Sequence, residues 1–352
     1  QLCEVESMYV NELKDTVYHI NNITEQMNKL NERIKREKIH YNEEYGPNEL
    51  YDELNMFVDE LATYGNVEVT ENSSGTFSVK MGGLMLVDGE KFKTNRILMK
   101  DYDTYKQAIL SFESGEELNL SSGQLKGYYD MINGNGVYAT GHQNGSYGIA
   151  YFKSAVDQFA RTLAGVFNSA NGADEDQSRR MFTTIPEDTV VTAGNIHVSS
   201  EWEKNPTMIG QVRRLDPLTG QYQYGYDEKR DEITGEVNLQ NTNVIYLISQ
   251  LENSAIEFGN SHDFTGGFYE YISFISNRLG QTIQYETSRY DTAEVTVDGL
   301  LDARDEVSAP QMDEEGINMM NYQKWYSASS RLVTTLDELL DKLINGTGRV
   351  GL

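Results

Sequence analysis

The sequence predicts an elongated α+β protein in which long, coiled-coil-like helical segments at both ends of the chain flank a β-rich middle domain. Three observations support this prediction. Apolar residues recur every three or four positions near both ends, and apolar and polar residues alternate after residue 66. In addition, the 352 residues include only five prolines, which leaves long windows in which helices can run without interruption.

The first predicted helix covers residues 4–40. Its apolar residues are spaced by three or four positions, close to a heptad repeat, and polar residues fill the positions between them. This stripe consists of Val10, Leu13, Val17, Ile20, Ile23, Met27, Leu30 and Ile34. Such a stripe is not stable alone, so we expect it to pack against a partner helix. Gly46 and Pro47 separate it from a second predicted helix at residues 48–63.

Residues 65–241 are predicted to form a β-containing outer domain. The alternation of apolar and polar residues begins at Val67 and continues through a turn at Gly82-Gly83. A short helix is predicted from residue 121 to about residue 131. One helix, at residues 149–170, is predicted as an insertion in this domain, because its apolar residues return to the helical period. Between two turn sequences lies a predicted hairpin that contains Tyr222, Tyr224 and Tyr226.

Helical periodicity resumes after the middle domain. We predict helices at residues 243–258 and 265–305. Residues 1–64 and 242–306 are therefore assigned together to a helical rod domain.

The last helix is predicted at residues 312–345, within a C-terminal assembly segment at residues 307–352, and it has the most regular heptad pattern in the chain. Its apolar stripe is the candidate assembly interface, formed by Tyr322, Trp325, Leu332, Val333, Leu336, Leu339, Leu340 and Leu343. The stripe could face the core of this chain or pair with a segment outside it. We favour pairing outside the chain, because the spacing is strict, the helix is terminal and a proline-marked break precedes it.

The charge balance excludes some classes of partner. The chain has 55 Asp and Glu residues against 29 Lys and Arg residues, which gives a formal net charge of −26. A surface this acidic repels phosphate backbones and anionic lipid, so we expect neither nucleic acid nor membrane as a partner. The single cysteine, Cys3, cannot form an intrachain disulfide. The chain begins at Gln1, inside a predicted helix, and we therefore expect it to be a fragment or a processed product.

The residues that usually carry chemistry form no catalytic or metal-binding pattern in the sequence. The histidines are scattered and never lie three or four positions apart; they are His19, His40, His142, His197 and His262. The glycines at 134, 136 and 141 do not match a dinucleotide-binding fingerprint. We therefore expect no enzymatic activity, no metal site and no cofactor. A carbohydrate-active enzyme with paired carboxylates stays open as an alternative, although the sequence selects no pair.

The C-terminal helix resembles the signature of the flagellar axial proteins. The matching segments are residues 313–315, 321–323 and 326–345. Further similar segments narrow the resemblance to the hook-associated protein 1 family of the hook–filament junction; they are residues 59–61, 67–69, 82–84, 157–163, 167–168 and 304–308. The resemblance extends from about residue 10 to the end of the chain and is weakest between residues 172 and 240.

This resemblance implies a structural, non-catalytic subunit at the junction between hook and filament. The C-terminal helix would assemble with helices of an N-terminal segment missing from this sequence and with neighbouring subunits. The implied partners are further copies in a ring-like homo-oligomer, the hook protein, a second junction protein or flagellin, and an export chaperone. The implied location is the extracellular flagellum, reached through the flagellar type III export apparatus without a cleaved signal peptide.

Two alternative functions remain at this stage. The chain could be another axial protein, such as a hook or distal-rod subunit. It could also be a cell-surface binding or adhesion module that uses the tyrosine-rich hairpin at residues 222–226.

Overall fold

The helices and strands of the chain confirm the predicted α+β class. The computed structural model describes residues 1–38, 48–187, 189–204, 212–225, 228–230, 237–239, 241–259, 264–308 and 312–346. The helices in these residues are α1 (Leu2–Lys38), α2 (Asn48–Tyr64), α3 (Tyr102–Tyr105), α4 (Gln124–Asn133), α5 (Ile149–Ala170), α6 (Ser200–Lys204), α7 (Thr242–Leu251), α8 (Phe268–Ser308) and α9 (Met312–Gly346). Two short 3₁₀ turns lie at Gly136–Tyr138 and Gln177–Arg179.

The strands form one four-stranded antiparallel sheet and a series of two-stranded pairs. The sheet has the order β1 (Val67–Glu71), β2 (Phe77–Met81), β3 (Leu84–Asp88) and β4 (Lys93–Thr94). The antiparallel pairs are β5 (Ile97–Met99) with β6 (Leu110–Phe112), β7 (Phe182–Thr184) with β8 (Ile196–Val198), β9 (Val212–Leu215) with β10 (Tyr222–Gly225), β11 (Glu228–Arg230) with β12 (Val237–Leu239), and β13 (Ile256–Phe258) with β14 (Phe264–Gly266).

The predicted turn at Gly82-Gly83 joins β2 to β3. Met81 pairs with Leu84 across it, so the loop has only two residues. Both glycines have positive φ, +59° and +81°, as a tight type I′ hairpin requires. A side chain at either position would be strained, which explains why two consecutive glycines mark this turn.

The apolar stripe of α1 forms the centre of the largest hydrophobic core. Each of its eight predicted residues is at most 6% exposed. The stripe is covered by α2 and α4 and by the sheet residues of β2, β3 and β5, rather than by a helix alone. The predicted domain boundary after residue 64 therefore runs through a shared core, because the sheet supplies part of the cover that α1 needs.

Two of the helices in the middle segment were predicted from the sequence. α5 has the predicted bounds, Ile149–Ala170, and α4, of ten residues, lies close to the short helix predicted at residues 121–131. Leu125 and Ile132 of α4 are buried in the α1 core, so α4 is required as part of its cover. The division into domains stays a prediction.

A second group of buried aromatic residues joins α5 to β13, β14 and the start of α8. The rings of Phe258 and Tyr271 stack with centroids 4.1 Å apart, and Phe159 and Phe268 pack around them. The Tyr271 hydroxyl donates a hydrogen bond to the Ala155 carbonyl oxygen, 3.2 Å away. This cluster fixes the first turns of α8 on α5.

The helix predicted at residues 243–258 is wrong in its second half. α7 ends at Leu251, and the last three residues of the range form β13. Ile256 and Phe258 are buried while Glu257 between them is exposed, which is the period of a strand and not of a helix. The next helix also begins later than predicted, at Phe268, because Phe264–Gly266 pairs with β13.

The tyrosine-rich hairpin is confirmed in part. Tyr222 and Tyr224 lie in β10, which pairs with β9 across the turn at residues 216–220. Tyr226 and the second predicted turn, at residues 231–235, lie outside the described residues.

The chain divides into two compact units, Gln1–Gly280 and Gln281–Leu352. The first contains the hydrophobic clusters described above. The second contains the remainder of α8 and the whole of α9. In the second unit, the described side chains are exposed except for the partly covered Thr282 and Asn321.

Candidate assembly interface on the C-terminal helix

Local sequence explains why residues 312–346 form one long helix. Asp313, Glu314 and Glu315 lie in the first turn, where negative charge is favourable beside the helix N-terminus. The 35 residues include no proline, and leucine dominates the second half. At about 1.5 Å per residue, the helix is roughly 50 Å long.

Most of the large apolar residues of α9 lie in three adjacent rows of the heptad. The eight predicted interface residues occupy these rows, and Met319 and Tyr326 extend one row toward the N-terminus with the same seven-residue spacing. We call this set the α9 apolar face; its members are Met319, Tyr322, Trp325, Tyr326, Leu332, Val333, Leu336, Leu339, Leu340 and Leu343. Three rows make a wider face than the two-row seam of a simple coiled coil.

The α9 apolar face is exposed to solvent along its whole length. The eight predicted interface residues are 51–66% exposed, and the structure places them together on one side of the helix. The rings of Tyr322 and Trp325 contact each other edge to face, with centroids 5.5 Å apart. That these residues form an assembly interface stays a prediction. The interface residues predicted from the sequence did not include Met319 and Tyr326. Their seven-residue spacing from Val333 and Leu340 could have identified them.

The apolar stripe of α1 shows how much stability the α9 apolar face could gain if another helix covered it. Both helices have an apolar stripe of similar period, but the stripe of α1 is buried and that of α9 is not. Burial of one leucine side chain stabilises a structure by about 1.5–3 kcal/mol. The face therefore offers a large favourable free energy to any helix that covers it.

The remaining candidates for chemistry are the histidines, the carboxylates and the single cysteine. Among the described residues, no group of three or more His, Cys, Asp and Glu side chains could hold a metal ion. His19 Nε2 lies 2.7 Å from Glu60 Oε1, while His142 and His197 lie 3.6 Å and 3.8 Å from single carboxylates. His40 and His262 lie outside the described residues. A search of the described helices finds none long and apolar enough for a membrane span.

One polar cluster in the first unit connects three helices. Glu6 of α1 accepts hydrogen bonds from the Tyr102 hydroxyl of α3, at 2.7 Å, and from Lys153 Nζ of α5, at 2.8 Å. Burial raises the pKa of Tyr102 well above its ordinary value, and the hydrogen bond to the Glu6 carboxylate raises that pKa further. The cluster contributes to packing in the first unit.

Two family models match the chain. The flagellar hook-associated protein FlgK helical domain matches residues 1–181, which is just over half of the 352 residues. The chain belongs to the flagellar hook-associated protein FlgK family. The C-terminal domain of the flagellar basal body rod FlgEFG proteins matches residues 305–346, a range that contains the whole α9 apolar face.

The chain is also similar to individual proteins of known identity. Flagellar hook-associated protein 1 of Bacillus subtilis (strain 168) is 27% identical over 377 residues, which cover 99% of this chain and 68% of the relative. The solved structure of the flagellar hook junction protein FlgK from Burkholderia pseudomallei is 19% identical, with a TM-score of 0.39. That match covers 53% of this chain and spans 31% of the solved chain.

Family membership confirms the resemblance found in the sequence. It supports a structural role in the flagellum rather than that of a cell-surface binding module.

Proposed function

We propose that this chain is a structural subunit of the hook–filament junction of the bacterial flagellum and that it assembles through the α9 apolar face. The observation that carries the proposal is the exposure of that face within the segment that matches the C-terminal model of flagellar rod proteins. An exposed apolar face of three heptad rows is unusual in a subunit that acts alone, and it is expected where helices of several subunits pack together.

The proposed partners follow from this role. Neighbouring copies would form a ring-like homo-oligomer in which helices cover the α9 apolar face. The ring would contact the hook protein on one side and a second junction protein or flagellin on the other. Before assembly, an export chaperone would shield the exposed leucines, since an apolar face of this length invites aggregation.

We further propose that the chain is non-catalytic and extracellular. Export would proceed through the flagellar type III apparatus, without a cleaved signal peptide. The proposal is supported by the match to two families of flagellar structural proteins and by the apolar side chains that lie together on α9.

Replacement of Leu336 by aspartate tests the assembly role. Leu336 lies in the middle of the α9 apolar face, and a buried, unpaired carboxylate there would cost more than the lost leucine contacts. We expect Leu336→Asp, introduced in the full-length protein of a strain that lacks the wild-type gene, to abolish filament growth. Electron microscopy of hooks and filaments, together with swimming assays, measures the outcome.

A matched variant controls for charge and for export. Thr334 lies two residues away on the opposite side of α9, and its hydroxyl hydrogen bonds only within the helix, to the Ser330 carbonyl oxygen. Thr334→Asp should therefore support normal filaments. Both variant proteins should reach the culture medium in wild-type amounts. Normal filaments on Leu336→Asp cells would refute the assembly role of the face.

A further inference from the structure

A second apolar stripe lies on α8, in the part of this helix that belongs to the second unit. From residue 283 to residue 307 its positions follow one another in steps of three and four, as in a heptad repeat. We call this stripe the α8 seam; its positions are Ile283, Glu286, Tyr290, Ala293, Val297, Leu300, Arg304 and Val307. Its five large apolar side chains are 53–89% exposed. The seam therefore lacks the cover that an amphipathic helix needs, as the α9 apolar face does.

The α8 seam and the α9 apolar face are neighbours along the chain. α8 ends at Ser308 and α9 begins at Met312, so three residues separate the two helices. Antiparallel helices are commonly joined by loops of about two to five residues, and so short a connection gives each face a high effective concentration for the other. Each face is thus available to the other within one chain.

The two faces match in register when the helices are set antiparallel. With Val297 opposite Tyr322, the steps of three and four on α8 coincide with those on α9 in reverse order. The eight pairs are Ile283 with Leu336, Glu286 with Val333, Tyr290 with Ser329, Ala293 with Tyr326, Val297 with Tyr322, Leu300 with Met319, Arg304 with Glu315, and Val307 with Met312. The innermost pair leaves only residues 308–311 for the turn, whereas a shift of α9 by one heptad would leave residues 308–318 without a partner. The short connection therefore selects this register.

The chemistry of the pairs supports the same register. Tyr290 meets Ser329, so a bulky ring faces a small side chain, as a well-packed helix pair requires. The reverse holds one layer further on, where Ala293 meets Tyr326. Arg304 meets the oppositely charged Glu315, and none of the eight pairs sets two acidic side chains against each other, although the chain as a whole is strongly acidic.

We propose that α9 folds back on α8 as an antiparallel helical hairpin in the unassembled subunit, and that this closed form competes with assembly. The structure shows the open form, in which both stripes are exposed. Closure covers two of the three rows of the α9 apolar face and leaves the third row, Trp325, Leu332 and Leu339, at the edge of the hairpin. That row stays accessible for a first contact with a neighbouring subunit. The competition with assembly rests on the proposed function, whereas the hairpin itself does not.

Glu286 limits the stability of the closed form. Its carboxylate contacts Arg289 at 3.1 Å in the open form, and closure would place it against Val333, away from water. We therefore expect the open and closed forms to interconvert, with only weak protection of the α9 amides in the free subunit. Glu286→Leu should raise the ratio of closed to open form about tenfold, because a leucine side chain is buried in place of a carboxylate.

Cysteine crosslinking in the purified full-length protein tests the hairpin. Thr287 and Ser330 are exposed and flank the seam on the same side of the closed form. In a Cys3→Ser background, a short bismaleimide should join Thr287→Cys to Ser330→Cys within one chain, as electrophoresis and mass spectrometry would show. Thr287→Cys with Gln323→Cys is the control, because Gln323 lies one heptad, or about 10 Å, from Ser330 in the same row. It should give little product, whereas an unpaired α9 would give this pair an equal or higher yield.

Variants of the α8 seam separate a specific hairpin from chance collision. Ile283→Asp places a carboxylate opposite Leu336 and should lower the yield of the Thr287–Ser330 product about tenfold. Ser288→Asp is the matched control, since Ser288 is exposed on the side of α8 away from the seam, and it should leave the yield unchanged. Glu286→Leu should raise the yield and slow incorporation of the purified protein at hook tips several-fold, because only the open form can assemble.

Several outcomes would overturn the inference. Equal yields for the two cysteine pairs would exclude the hairpin, and so would a yield that neither Ile283→Asp nor Glu286→Leu changes. A crosslinked dimer in place of the product within one chain would show that α8 and α9 pair between copies. A higher yield for Glu286→Leu without slower incorporation would exclude the competition with assembly. Failure of the proposed function has a different signature, normal filaments on Leu336→Asp cells, which does not depend on the crosslinking result.

Discussion

At the scale of single residues, asparagine side chains of the helices bind backbone groups of strands and of a loop in the first unit. Asn21 of α1 accepts from the Ile97 N–H at 2.9 Å and donates to the Ile97 carbonyl oxygen at 2.8 Å. Asn31 makes the same pair of bonds to Phe77, at 2.8 Å and 2.9 Å. Asn133 binds both backbone groups of Ala108 at 2.7 Å. Each side-chain amide thus acts as a neighbouring strand would, and satisfies backbone groups that the sheet leaves unpaired.

Asn21→Ala should measure the contribution of one such amide. Asn21 and Ile97 are both buried, so the alanine variant leaves a backbone donor and acceptor without partners and without water. We expect a loss of about 2–4 kcal/mol in the free energy of unfolding, measured by urea denaturation.

Asn11→Ala is the matched control for this measurement. Asn11 is exposed on the same helix, and alanine has the higher helix propensity, so its free energy of unfolding should stay the same or rise slightly. Equal stability of Asn21→Ala and Asn11→Ala would contradict the role assigned to Asn21.

At the scale of elements, α1 and α9 show that one sequence pattern has two structural outcomes. Both are long amphipathic helices, of 37 and 35 residues. The apolar stripe of α1 is covered by α2, α4 and strands, whereas the α9 apolar face is exposed to solvent. Helical stability in proteins comes mostly from the packing of such a face, so the two helices should differ in local stability.

Hydrogen exchange on the purified, unassembled protein should show this difference. Backbone amides of α9 between Leu332 and Leu343 should exchange far faster than those of α1 between Leu13 and Ile34, because opening α9 exposes little additional apolar surface. Exchange coupled to mass spectrometry measures both segments in one sample. Strong protection of residues 332–343 in the monomer would indicate that the face is already covered. The same segment should become protected in assembled flagella.

At the scale of the whole molecule, partly or fully buried tyrosines link stability to alkaline pH. Burial is the main cause that raises the pKa of each of five tyrosines above the ordinary value of 10.0; they are Tyr51, Tyr64, Tyr102, Tyr129 and Tyr151. The folded state therefore keeps these protons at a pH where the unfolded chain loses them. Their contribution to stability is complete below about pH 10 and is lost as the pH rises above it.

Tyr102→Phe should reduce this alkaline loss. Phenylalanine has no proton to release, so the urea midpoint of the variant should fall less steeply than that of the wild type above about pH 10. Its stability at neutral pH should be lower, because the hydrogen bond to Glu6 is gone. Tyr18→Phe, at an exposed position of α1, should keep the wild-type pH dependence. Parallel curves for Tyr102→Phe and wild type would refute the linkage.

Much of this architecture was predictable because it depends on local patterns. The period of the apolar residues identified α1, α2, α5 and α9, and the two glycines at 82 and 83 identified their turn. The prediction was wrong at residues 256–258. Three residues are too few for the spacing of apolar side chains to distinguish a strand from a helix. These residues form a strand because they pair with β14.

The sequence alone determined which side of α1 and of α9 is apolar, because the face on which a helical residue lies follows from the helical repeat. It also determined the acidic charge and the family resemblance. Only the tertiary structure decided what covers each apolar side. The Asn21 amide meets a strand 76 residues away, and Arg213 meets a tyrosine in a different element. Such contacts depend on how distant segments of the chain pack together, and the local spacing of apolar residues does not predict them.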